Sequence, residues 1–183
     1  MDAEDNCLGC DARCCGKYLV AVIPSDIARI ARRTGKRPAE FLQLFPSSEC
    51  NCRWAPSFWV KGEECYVGLK RKKDGCVFLR KGRCTIHSFK PLVCSTFPFC
   101  IDEENVAVSN ACIRKGRWKP GAKDCGSLSR YHSELQRMRR LAVEWDWRRK
   151  GEGSAKELLA FLSGRERQAR SVSKKFLSFR NLS

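Results

Sequence analysis

Seven cysteines in the first hundred residues stand at spacings that suit metal ligation: Cys7, Cys10, Cys14 and Cys15 in CLGCDARCC, then Cys76, Cys84 and Cys94 in CVFLRKGRCTIHSFKPLVC. Two cysteines separated by two residues, as Cys7 and Cys10 are, can set both sulfurs on one ion at about 2.3 Å, because the backbone between them turns back on itself. Cys14 and Cys15 are adjacent, and an extended segment would send them to opposite faces. One then joins the first pair while the other serves a second site or the core. The first cluster supplies three or four ligands locally, and only the fold can bring in Cys76, Cys84 and Cys94. Ligation would therefore be coupled to folding.

The chain carries 13 Cys in 183 residues, far more than packing needs. The odd total leaves at least one thiol without an intramolecular disulfide partner. The start, MDAEDNCLGC, has neither the basic nor the apolar region of a secretion signal. The expected location is cytoplasmic, where thiols serve metal or redox chemistry rather than disulfides, intracellular hyperthermophile proteins excepted. No apolar run approaches the ~20 residues that cross a bilayer, so no membrane partner is expected.

The elements that must position these thiols read as follows. Lys17 to Ile23 is β-branched and apolar, a strand that Pro24 ends. A helix follows with Ser25 as N-cap, Ile27, Ile30 and Ala31 on its apolar face, Arg29, Arg32 and Arg33 toward solvent, and Gly35 as its stop. A second short helix fits Pro38 to Phe45. Pro46 to Lys61 lacks a period and reads as a long loop. Val60–Leu69, Cys76–Leu79, Cys84–His87 and Val106–Val108 read as short strands. After Cys125 the cysteines stop. Leu128, Tyr131, Leu135, Met138, Leu141 and Trp145 then recur at three and four, an amphipathic helix over Leu128–Trp147. A second helix opens on the capping box Ser154-Ala-Lys-Glu157 and stops at Gly164. The expected fold is α+β: a small irregular, metal-stabilised, cysteine-rich domain over residues 1–126, a C-terminal helical hairpin over 127–164, and a basic tail over 165–183.

CLGCDARCC, a following strand and SDIARIARRTG, then CVFLRKGRCTIHSFKPLVCSTFPF, together resemble the cysteine-cluster proteins of the YkgJ type, a zinc- or iron-chelating domain. The resemblance covers roughly residues 7–126. Its second motif has the form C-x-I-Y-x-x-R-P-x-x-C-R-x-F-P. This chain has His87 in place of Tyr, Lys90 in place of the Arg before Pro, and Ser95 in place of the Arg after Cys. The resemblance implies that Cys112, in NACIRKGRWKPG, echoes a later ligand element. A related motif in flagellin lysine N-methylases implies an iron–sulfur cluster and raises methyl transfer. The chain lacks a glycine-rich cofactor fingerprint and the C-x-x-x-C-x-x-C of radical enzymes.

Zinc and iron–sulfur compete for such thiolates. Phe97 and Phe99 beside Cys94 favour an iron–sulfur cluster, of the 4Fe-4S kind, since apolar neighbours limit water and tune potential; the same rings also suit an ordinary core. Cys50 and Cys52 form a C-x-C of ligands, loop thiols or a redox pair. Cys65, Cys100 and Cys125 are isolated and read as small buried hydrophobes. His87 reads as packing or support beside the ligands, and His132 as surface. No Ser-His-Asp set, phosphate-cradling loop or carboxylate pair is present, so no catalytic residue is singled out. Any catalysis would come from the metal centre.

The chain holds 36 Lys+Arg against 20 Asp+Glu, a net +16. Each tetrathiolate centre lowers that by about two, which leaves it strongly basic. Residues 1–126 carry 22 Lys+Arg and 14 Asp+Glu, the remaining 57 carry 14 and 6; both parts are net +8, and the shorter is twice as dense. Lys70, Arg71, Lys72 and Lys73, with Arg114, Lys115, Arg117 and Lys119, lie near aromatics in a pattern that pairs phosphate contact with base stacking. An acidic partner, nucleic acid or protein, is the corresponding expectation. The alternative function is thus a structural-zinc basic adaptor.

Overall fold

The computed structural model of the chain describes residues 13–50, 55–102, 105–109, 112 and 118–164. Cys7, Cys10 and Cys52, the basic residues Arg114, Lys115 and Arg117, and the tail over 165–183 lie outside the described residues. The fold is α+β. Helix α1 (Arg13–Lys17) leads through an extended segment to α2 (Pro24–Thr34) and the short α3 (Pro38–Phe41). Strands β1 (Leu42–Pro46), β2 (Phe58–Val60) and β3 (Glu63–Leu69) form an antiparallel sheet in the order β1-β3-β2. Three two-stranded hairpins follow: β4 (Arg71–Lys72) with β5 (Gly75–Cys76), β6 (Leu79–Arg80) with β7 (Arg83–Cys84), and β8 (Phe99–Asp102) with β9 (Asn105–Val108). A 3-10 turn (His87–Phe89) and α4 (Leu92–Thr96) separate the second hairpin from the third. The long α5 (Ala122–Arg149) and a helix over 155–164 complete the order.

Several local expectations change. Ile23, not Ser25, is the N-cap of α2, because the helix already begins at Pro24. Cys76–Leu79 and Cys84–His87 are not continuous strands but the ends of short hairpin strands and the start of a 3-10 turn. Pro38–Phe45 is helical only to Phe41, because Leu42–Pro46 pairs with β3, Leu42 opposite Leu69 and Pro46 opposite Cys65; the apolar spacing of FLQLF fits a strand as well as a helix, and pairing decides. Lys17–Ile23 is not a regular strand: α1 takes its start, and the rest runs beside β3 with a single bridge, Ala21 to Gly68. The bare face of Gly68 allows that approach, since a β-carbon there would stand 3.0 Å from the Val20 carbonyl oxygen. Val60–Leu69 is broken by a tight turn at Lys61 (φ 51°) and Gly62 (φ 78°), both left-handed as a two-residue hairpin turn requires. Lys81 (φ 47°) and Gly82 (φ 73°) repeat that Lys-Gly turn between β6 and β7.

One hydrophobic core joins the sheet to the helices. Ile23, Ile27, Phe41, Phe58, Val67 and Leu69 pack with Met138, Ala142 and Trp145 of α5 and with Leu158 and Leu162. Helix α5 spans more than the expected Leu128–Trp147 and has Cys125 inside its first turns. Trp145 Nε1 donates to the Trp59 carbonyl (2.9 Å), and Asp146 accepts from the Trp59 amide (3.0 Å), which fixes α5 to β2. The glycine break after α5 continues the attachment: the Lys61 and Gly62 amides donate to the carbonyls of Gly153 and Gly151. The expected capping box is present, with Ser154 N and Oγ donating to Glu157 (2.9 and 2.8 Å). Among the described residues, no helix is long and apolar enough to cross a membrane.

Candidate metal centre

Cys14 and Cys15 lie on a helical turn rather than an extended strand, so their side chains do not diverge to opposite faces. Both face one cavity, together with Cys76, Cys84 and Cys94. Three devices hold these five thiols there. Arg71 donates to the carbonyls of Tyr18 (2.7 Å) and Gly16, which satisfies acceptors left open at the end of α1 and ties it to the β4–β5 hairpin. Gly75 (φ 120°) then lies against the α1 backbone, where a β-carbon would stand 2.6 Å from the Cys15 carbonyl oxygen. That close approach sets Cys76 beside Cys15. The Lys81-Gly82 turn folds β7 back so that Cys84 pairs with Leu79.

Cys94 depends on a buried latch. Asp26, on α2 and wholly buried, accepts from the amides of Leu92 (3.0 Å) and Ile23 (3.4 Å) and from the Arg29 guanidinium (2.5 Å). Arg29 also donates to the carbonyls of Lys90 (2.8 Å) and Phe89 (3.3 Å). The two side chains thus grip the segment entering α4, which carries Cys94. Arg29 therefore turns inward, unlike the solvent-facing role expected of it, while Arg33 stays out over the Phe89 ring. The i,i+3 spacing from Asp26 singles out Arg29 from Arg32 and Arg33, but its two carbonyl partners lie sixty residues away and leave no local sign.

The thiols share one electrostatic environment. A hydrogen bond from Cys15 lowers Cys14 to about 6 against the opposing effect of burial, and the Lys90 cation helps. Cys15 is raised by donating that bond, then by burial and by the neighbouring Cys14, Cys94 and Cys76. Burial pushes up Cys76, Cys84 and Cys94, and nearby sulfurs add to it: Cys84 for Cys76, Cys14 for Cys84, and Cys76, Cys84 and Cys14 for Cys94. Five sulfurs from four elements therefore cannot all ionise without added positive charge. A thiophilic metal centre supplies that charge, so the donor set fits one. Among the described residues, no three His, Cys, Asp or Glu are already closed around one ion.

The other candidates distribute around this ring. Cys112 is buried on the wall of the same cavity, its amide donating to Ser109. Cys50 and Cys100 also line it and are half-buried, and Cys65 is core on the sheet. Cys125 is exposed on α5, contrary to its expected burial. The described cysteines form no disulfide with one another. His87 Nε2 lies 3.2 Å from the buried Lys90 Nζ, a support role beside Cys84, and His132 is on the surface. Of the basic run, Lys70 donates to Ala39 and Arg71 to α1, while Lys72, Lys73 and Lys119 are exposed.

Sequence reasoning missed Asp26, Arg29, Arg71 and Gly75 as parts of the site. Gly75 carries a local signal as a turn residue in KKDGC, and Asp26 and Arg29 carry another as an i,i+3 acid–base pair on one helix. No curated protein and no solved structure matches the chain. Residues 6–113 match the model of a family described as "putative zinc- or iron-chelating domain" and named for the pattern CxxCxxCC. Here one further residue stands between the second and third cysteines, Asp11-Ala12-Arg13 between Cys10 and Cys14. The match covers more than half of the chain and includes every element that faces a thiol toward the cavity, and the chain belongs to this CxxCxxCC family of cysteine-cluster, zinc- or iron-chelating domains.

Proposed function

We propose that the chain holds an iron–sulfur cluster, its ligands drawn from Cys14, Cys15, Cys76, Cys84 and Cys94 with Cys7 and Cys10, and that it serves electron transfer or cluster-dependent modification. The observation that carries this reading is that five thiols face one cavity, with Phe78, Phe97 and Phe99 among its lining residues. Apolar side chains beside thiolates suit a redox centre, whose potential they tune. A single zinc ion with four thiolates would instead be closed and structural. The test is anaerobic purification with iron, zinc and acid-labile sulfide analysis. Iron with matching sulfide and absorbance near ~400 nm supports the cluster; stoichiometric zinc without sulfide refutes it.

A second reading, a basic adaptor on structural zinc, draws on α5. Trp147 and Val143, four residues apart, are 80% and 71% exposed, and Arg139 and Arg140 are exposed beside them. An exposed indole among guanidinium groups suits stacking on an unpaired base with phosphate contact. Binding to single-stranded RNA should then weaken steeply with salt and fall on Trp147→Ala. Salt-independent or undetectable binding removes this reading.

A further inference from the structure

The cations that line the thiol cavity divide by burial. Lys17, Arg83 and Arg139 are exposed, and Arg71 commits its guanidinium to the carbonyls of Tyr18 and Gly16. Lys90 is buried, with 8% of its surface exposed. Its backbone is fixed from both sides: Pro91 requires it extended (φ −57°, ψ 157°), and the Arg29 guanidinium donates to its carbonyl oxygen (2.8 Å). The side chain lies inside, with Nζ 3.2 Å from His87 Nε2. An ammonium only donates, so His87 Nε2 is the acceptor and the ring carries its proton on Nδ1. The other two N–H donors of Lys90 have neither an acceptor nor a carboxylate among the described residues. A buried charge is ordinarily paired and hydrogen-bonded. The groups on the same cavity that can answer it are sulfurs. Cys84, raised by burial, is drawn back by Lys90, and Cys14, lowered first by the Cys15 hydrogen bond, is lowered further by it.

We propose that Lys90 is a positioning residue of the metal centre: its ammonium donates to the sulfurs of Cys14 and Cys84 when they ligate, and balances the negative charge of the thiolate set. Four thiolates around a zinc ion, or around an oxidised four-iron cluster, leave a charge of about −2, which one buried cation halves. Hydrogen bonds to the sulfurs also hold their orientation and lower the energy of their electrons. His87 steers the ammonium by accepting its third bond. The proposal rests on the metal reading, and it holds for zinc or for an iron–sulfur cluster because both present anionic sulfur.

The test uses the full chain loaded with Co(II), a thiolate-binding probe that reports its sulfur ligands by charge-transfer absorption, with chelator competition for affinity. Lys90→Met keeps the length and removes the charge and the donors. It should weaken Co(II) binding about 10–100-fold, the range that outer partners of metal ligands carry. The absorption should also move to lower energy, because sulfur electrons freed of a hydrogen bond transfer more easily. Lys90→Arg should restore most of the affinity. Lys17→Met, which removes the same charge from an exposed position, should change neither readout. A folded Lys90→Met chain with wild-type affinity and absorption overturns the proposal. A loss of affinity with the absorption unmoved marks packing alone and overturns it too. If Lys90→Met does not fold, Lys90→Gln takes its place and is read the same way. A wild-type chain without sulfur-to-cobalt absorption refutes the metal reading itself, so the two failures are distinct.

Discussion

Gly75 and Cys15 touch through their backbones: a β-carbon on Gly75 would stand 2.6 Å from the Cys15 carbonyl oxygen and 2.8 Å from the Gly16 α-carbon. Two thiol-bearing segments sixty residues apart are brought into register by the absence of one methyl group. Gly75→Ala adds that methyl at φ 120°, a conformation L-residues rarely adopt. The expected cost is about 3 kcal/mol from strain and overpacking, with loss of most bound metal. Gly82→Ala is the control: φ is 73° with open space around it, so about 1 kcal/mol is expected with metal retained. Thermal melts with metal analysis on both variants check this.

The Asp26–Arg29 latch should matter for stability and metal together. Asp26→Ala leaves the amides of Leu92 and Ile23 and the Arg29 guanidinium without their buried acceptor. Loss of one partner from such a buried ionic network costs about 3–5 kcal/mol. Urea unfolding should show that loss, and faster metal release should accompany it because the α4 segment bearing Cys94 loses its anchor. A variant with an unchanged midpoint would contradict the role assigned to Asp26.

Metal affinity should rise with pH. Cys15, Cys76, Cys84 and Cys94 are raised above the ordinary 9.0 without metal, so near neutrality each is a thiol that must lose its proton to ligate. Every such proton released adds roughly tenfold in affinity per pH unit. Cys14, lowered to about 6, adds to the slope only as pH falls toward that value. Chelator competition with zinc between pH 6 and 8 measures the slope. The metal-free chain has the opposite sign. Thiols whose folded pKa is raised favour the folded state below 9.0, and that contribution is lost as pH climbs through the raised values.

That Cys14, Cys15, Cys76, Cys84 and Cys94 belong together was legible because their spacing is itself a chemical signal, and all five line one cavity; the C-terminal helices were legible because α5 and its successor keep an apolar period with a capping box. What the sequence could not show was long-range. Arg71 reads as one member of a basic run, yet it caps α1. FLQLF carries a spacing compatible with two structures, and pairing with β3 selects the strand. Cys14 and Cys15 would part to opposite faces only in an extended segment, and here the segment is helical. Asp26 gives no local sign of its contact with Leu92, since nothing in SDIARI encodes a partner 66 positions away.

Gly153 should separate folding from metal chemistry. A β-carbon there would lie 2.3 Å from the Trp145 ring, and Trp145 is the largest wholly buried side chain among the described residues. Gly153→Ala is expected to cost about 1–3 kcal/mol through overpacking, lowering the melting temperature while the chain that remains folded keeps its metal. Metal loss out of proportion to unfolding would place the α5 attachment closer to the centre than its contacts indicate.

The most direct test of the account is metal per folded chain in Cys94→Ser compared with Cys65→Ser, both purified anaerobically. Cys94 faces the shared cavity and Cys65 sits in the sheet core. The account predicts that Cys94→Ser loses most of its metal while Cys65→Ser keeps the wild-type stoichiometry. Equal metal in the two variants would contradict it.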